Sequence, residues 1–142
     1  MNIFEEYIKK ITDLISKNKQ SLNLDNLNNF KGVVVESPPA EFNFDLSCNV
    51  GLLLGKINKI NPIELSNRIK DLIIKELKDF EKVEIAGPGF LNLKLTKKSL
   101  ISNINQILKN KESFGKKNSN NSYNIEFVSA NPTGPMHVGH CR

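Results

Sequence analysis

His137 and His140 stand three positions apart in the stretch "NPTGPMHVGHCR", with Gly139 between them. On the first turn of a helix that spacing sets both imidazoles on one side, where ring N–H groups can donate to triphosphate oxygens. Gly139 removes a side chain where a base or ribose would approach the backbone. Two other readings use the same residues: a zinc site from His137, His140 and Cys141, short of a fourth ligand, and a tail with surface histidines. A second group lies in "GPGFLNLKLT", where strand alternation puts Phe90, Asn92 and Lys94 on one face and Leu91, Leu93 and Leu95 on the other. An aromatic, an amide and a cation in a row could stack on a nucleotide base, bond its edge and meet a phosphate. The alternative sets Phe90 beneath a helix and Lys94 in solvent.

These residues need elements to hold them. Spacings of three and four from Ile3 to Ile15 predict an amphipathic helix over residues 2–18. "GVVVES" (32–37) reads as a short buried strand ended by Pro38-Pro39. Leu46, Val50, Leu53, Leu54 and Ile57 mark a second helix. Asn61 as N-cap, Pro62 in the first turn and Glu64 open a third, whose stripe runs from Leu65 to Phe80. "VEIAGPGFLNLKLT" (83–96) reads as two strands around Gly87-Pro88-Gly89, with the leucines of the second on its buried face. Thr96 caps a fourth helix with the stripe Leu100, Ile101, Ile104, Ile107 and Leu108.

The polar run over 109–122 reads as a linker, so a compact α+β domain, a small antiparallel sheet packed with helices, is expected over residues 1–108. "YNIEFVSA" (123–130) then reads as a strand, followed by a glycine-bearing loop and a helix start. That order is how doubly wound, Rossmann-like α/β domains receive nucleotides at a helix N-terminus.

A chain of 142 residues with 39% apolar and 25% charged residues fits about one ordinary globular domain. The net charge of +5 would suit an anionic partner such as RNA. Only Arg68 and Arg142 are arginines, however, so a general preference for lysine accounts for the balance equally well. No apolar run approaches the roughly 20 residues that span a bilayer. The first residues lack the apolar centre of a secretory signal, and Cys48 and Cys141 form no disulfide framework. A cytoplasmic location without membrane association is the expectation.

"IEFVSANPTGPMHVGH" resembles the segment of arginyl-tRNA synthetases that carries the class I signature, here His137-Val138-Gly139-His140. "VEIAGPGFLNLKLT" resembles the Gly-Pro-Gly-Phe strand of that family's additional N-terminal domain, and "DLSCNVGLLLGK" its Asp…Asn helix. The likeness covers essentially the whole chain. It implies an arginine–tRNA ligase, with tRNA-Arg, arginine and ATP as partners, Mg²⁺ accompanying the ATP, and a monomeric state. Carried over, Glu126 would face the guanidinium group, while Ser129 and Asn131 would hold the rest of the arginine. His137, Gly139 and His140 would bind ATP, and the two histidines would stabilise charge on the α-phosphate during attack by the arginine carboxylate. Phe90 and Asn92 would meet an unstacked nucleotide of the tRNA D-loop, with Lys94 beside them.

Three departures accompany the resemblance. Phe44 precedes Asp45 where many relatives have glycine, Gly134 stands where some carry a lysine, and the catalytic domain stops after its first strand and helical turn. The chain is therefore expected to be an N-terminal fragment without aminoacylation of its own and with a poorly packed segment 123–142. A free-standing, non-catalytic tRNA- or RNA-binding module is the competing expectation.

Overall fold

The computed structural model describes residues 2–116, 122–125 and 134–135. Helix α1 (Ile3–Lys17) starts at Asn2, whose side chain accepts from the Glu5 N–H at 2.9 Å. Glu5 and Glu6 in the first turn and Lys17 in the last suit the helix dipole. Tyr7, Ile11, Leu14 and Ile15 form its buried stripe.

Four strands, β1 (Val35–Glu36), β2 (Leu46–Cys48), β3 (Phe80–Ala86) and β4 (Phe90–Leu95), form one sheet in the order β1-β2-β4-β3. Every pairing is antiparallel. The register aligns side chains in rows across the sheet. Val35, Cys48, Leu91 and Ile85 make one apolar row, and Leu46, Leu93 and Val83 a second. Helices α2 (Val50–Asn58) and α3 (Pro62–Glu76) join α1 in covering this apolar face, and Leu54, Leu65, Ile69 and Ile73 complete the core. This is the expected α+β domain with a small antiparallel sheet.

Local chemistry explains the joints. Asn61 accepts from the N–H groups of Ile63 and Glu64 at 2.9 and 3.3 Å, with Pro62 at the helix start. Asn49 donates to the Gly32 carbonyl at 3.0 Å and accepts from the Val34 N–H at 2.8 Å, tying the approach of β1 to the start of α2. Asp45 accepts from the Leu95 N–H at 2.8 Å, closing the edge where β2 begins.

Three boundaries differ from the sequence reading. Leu46 does not begin the second helix: residues 46–48 are a strand paired to β4, and α2 starts at Val50. The third helix ends at Glu76, and Phe80, although at helical spacing from Leu77, opens β3. Only Val35–Glu36 of the 32–37 run is strand, and Val34 is 43% exposed.

The fourth helix, α4 (Lys97–Asn110), is capped by Thr96, whose hydroxyl accepts from the Ser99 N–H at 3.2 Å. Its apolar stripe stays outside the core. Within the proposed linker, Lys111–Ser113 form a turn of 3-10 helix. Ser122–Ile125 form no strand and are exposed, so the described part of the 123–130 strand does not show one. The remainder of that strand and the helix start lie outside the described residues.

Candidate nucleic-acid interface

The face of the sheet opposite the core carries a polar row. Glu36, Ser47, Asn92 and Glu84 align across all four strands, with Phe90 beside Ala86 and Lys94 beside Lys82 on either side. Alternation thus separates Phe90, Asn92 and Lys94 from the leucine face as expected. It does not leave all three in solvent. Asn92 is only 5% exposed and Ser47 only 8%.

What encloses them is the segment after β1. Pro38 and Pro39 cannot continue a strand ladder, and the chain turns back through a Phe42 N–H to Pro39 carbonyl hydrogen bond of 2.9 Å. The result is a cleft of about 190 Å³ above β1, β2 and β4. Asn92 and Ser47 lie on its floor, Phe90, Phe42, Pro38 and Pro39 supply apolar walls, and Glu36 and Gly87 contribute to its rim. Among the described residues neither the Asn92 amide nor the Ser47 hydroxyl is spent on an internal hydrogen bond. A small apolar cleft with an amide and a hydroxyl on its floor suits a planar group with a hydrogen-bonding edge.

The turn that carries Phe90 is pegged from below. Gly87 (φ +51°) and Gly89 (φ +122°) take conformations that L side chains rarely adopt, letting β3 return as β4 in three residues. The Ser66 hydroxyl of α3 donates to the Gly89 carbonyl at 2.9 Å, inside the core. Gly51 of α2 makes room, since a Cβ there would lie 1.9 Å from the Ser66 Oγ. Behind the polar row, Cys48 is fully buried, and burial pushes its thiol up to about 12.

Lys94 is engaged locally. Its Nζ donates to the Asn43 side chain at 2.8 Å and lies 3.7 Å from the Asp45 carboxylate. Lys82, directly across from it, pairs with Glu84 at 2.6 Å and sits over the Phe44 ring at 5.3 Å. Both cations stand beyond Asn92, with Lys94 two residues along β4, about 7 Å by strand rise. The sequence reading missed Ser47, Pro38, Pro39 and Phe42. The Pro-Pro pair was the available signal, because it forces the chain off the sheet beside β2.

The other candidate residues, Glu126, Ser129, Asn131, His137, Gly139 and His140, lie outside the described residues, as does Cys141. No cluster of three or more potential metal ligands occurs among the described residues. None of their helices is long and apolar enough to cross a membrane.

The family model for the arginyl-tRNA synthetase N-terminal domain matches residues 3–95. The arginine–tRNA ligase of Pelagibacter ubique is 43% identical over 147 residues, which cover all of this chain and 25% of the relative. Those of Bartonella quintana and Rickettsia felis are each 38% identical, again over the whole chain and 24% of the relative. The chain therefore spans about a quarter of the length of the curated relatives it matches. A domain match from Ile3 to Leu95 takes in helices α1 to α3, the sheet and the Phe90 cleft described above, and on it the chain belongs to the arginyl-tRNA synthetase family.

Proposed function

We propose that this chain serves an arginine–tRNA ligase, which activates arginine with ATP and transfers it to tRNA-Arg, and that its α+β domain contributes the contact with the tRNA. The observation that carries the reading is the cleft in which Phe90 and Asn92 meet. A base freed from its stack would lie against the Phe90 ring, while the Asn92 amide, with one donor and one acceptor side, would bond its edge. Glu36 on the rim carries negative charge, which turns phosphates away and favours the base inward. Lys94 and Lys82 at the far end offer the phosphate contacts, and Lys94 would share its ammonium with Asn43 and Asp45. A D-loop nucleotide, unpaired and able to splay outward, has the required form.

For the ligase chemistry the reading assigns Glu126, Ser129 and Asn131 to arginine. It assigns His137, Gly139 and His140 to ATP, with Mg²⁺ accompanying the nucleotide. A carboxylate matches a guanidinium, and imidazole N–H donors match phosphate oxygens, so the donor sets fit both ligands. ATP supplies the leaving pyrophosphate, while the residues of this chain bind, orient and stabilise charge.

Ribose-cleavage footprinting of tRNA-Arg with the 142-residue chain tests the tRNA contact. Protection confined to the D-loop, weakening steeply with salt, is the expected result. Protection elsewhere, or none at low salt, overturns the reading.

A further inference from the structure

Two polar side chains on the floor of the Phe90 cleft have no partner inside the domain. Asn92 is 5% and Ser47 8% exposed, and both line the cleft. They stand directly opposite each other on β4 and β2, which sets their Cβ atoms about 4.5–5.5 Å apart. A hydroxyl and an amide at that spacing could satisfy one another, yet among the described residues no hydrogen bond joins them.

Ser47 stands apart from its neighbours. Leu46 and Cys48 on either side of it belong to the core. In the polar row, Glu36 stands at the cleft rim and Glu84 is paired with Lys82. Ser47 is the member that adjoins Asn92 from β2. A sheet that needed only to be covered there would gain more from an apolar side chain, because an enclosed hydroxyl costs free energy unless it is bonded. The fold itself gains nothing from this one.

A ligand can supply the missing bond. The Asn92 amide, with one donor and one acceptor side, matches two adjacent positions on the edge of a base. A hydroxyl beside it can donate or accept, so it meets the next polar group along the same edge. The Watson–Crick edge carries such groups in succession, and it is free only where the base is unpaired. Stacking on Phe90 does not discriminate, since every base has a π-face. Selection among bases therefore falls to the two floor groups.

We propose that Ser47 is a specificity-determining residue of this cleft: its hydroxyl bonds the polar group next to the pair held by Asn92, and so selects which unpaired base enters. This rests on the nucleotide contact proposed above for Phe90 and Asn92. A base whose edge offers the hydroxyl no match leaves it enclosed and unpaired, a loss of about fivefold or more in affinity.

The test is fluorescence anisotropy of the 142-residue chain with tRNA-Arg transcripts whose unpaired D-loop nucleotides are changed, one at a time, to each other base. At one position the parent chain should prefer the native base about fivefold or more over at least one other. Ser47→Ala should weaken native binding by about fivefold and shrink that preference. Its melting temperature should stay at or above the parent's, because the hydroxyl has no internal bond to lose. Phe90→Ala should weaken binding of all four bases by a similar factor. Unchanged affinity and preference in Ser47→Ala overturns the assignment, as does a parent chain without base preference. An equal loss across all bases, or a lower melting temperature, marks a structural role and overturns it too. Where Phe90→Ala still weakens binding, such a failure belongs to Ser47 alone. Where Phe90→Ala and Asn92→Ala also leave binding unchanged, the nucleotide contact itself falls.

Discussion

Gly51→Ala tests how the core positions the Phe90 turn. A methyl group at residue 51 would stand 1.9 Å from the Ser66 Oγ, 3.0 Å from the Ser66 Cβ and 3.1 Å from the Gly89 carbonyl oxygen. The hydroxyl can rotate away, but its hydrogen bond to Gly89 then goes with it. Ser66 is fully buried, so the stranded donor and acceptor cost about 1–3 kcal/mol. The two remaining close contacts add overpacking of about 1–3 kcal/mol. Better helix propensity returns at most about 1 kcal/mol. The net loss is roughly 3 kcal/mol, which urea unfolding of the 142-residue chain would read as a midpoint lower by about 1–2 M. With Ser66→Ala as background the closest contact and the hydrogen bond are both gone, so adding Gly51→Ala should then cost about 1–2 kcal/mol less. A Gly51→Ala chain as stable as the parent, or more so, would refute this account of the peg, because propensity alone would then have decided the outcome.

Cys48 and Tyr7 should make the fold sensitive to alkali. Both are fully buried with raised pKa values, so above their ordinary ranges the unfolded chain gives up protons that the folded chain retains. For Cys48 the contribution to stability is intact below pH 9.0 and falls by about 1.4 kcal/mol per pH unit towards about 12, where the folded thiol titrates. Urea titrations from pH 8 upward should show this slope reduced in Cys48→Ala, and in a Cys141→Ser chain the remaining thiol should react with a thiol reagent only on unfolding. Asn49→Ala should cost about 1–3 kcal/mol through two lost hydrogen bonds. Hydrogen exchange at the Val34 amide should accelerate in that variant. Thr96→Ala should cost about 0.5–2 kcal/mol by removing the α4 cap, seen as a lower melting temperature.

Where periodicity and capping agree, the sequence was sufficient. Asn61-Pro62, Thr96 and the leucines of β4 each encode their structure within a few residues. The same local logic misreads Leu46, because Leu46, Val50, Leu53 and Leu54 satisfy helical spacing while strand pairing is settled by β4, more than forty residues away. Phe80 fails for the same reason, continuing a helical stripe in sequence but pairing with Leu95 in space. At the site, alternation separated Phe90 and Asn92 from the core, but it could not show that the Pro38–Phe42 segment folds over that face. The stripe of α4 was legible as a helix face. Whether anything covers it depends on groups distant in the sequence, and among the described residues the stripe stays partly exposed along its length.

The central claim is that the Phe90 cleft receives a tRNA nucleotide. Its most direct test is the affinity of the 142-residue chain for tRNA-Arg, by fluorescence anisotropy at fixed salt, compared with Phe90→Ala and Asn92→Ala chains whose fold is verified by circular dichroism. Loss of base stacking should weaken binding by about 1–3 kcal/mol for Phe90→Ala, roughly 5- to 150-fold. Asn92→Ala should weaken it by about 1 kcal/mol, roughly fivefold. Binding unchanged in both variants would place the tRNA elsewhere on the domain and contradict the account.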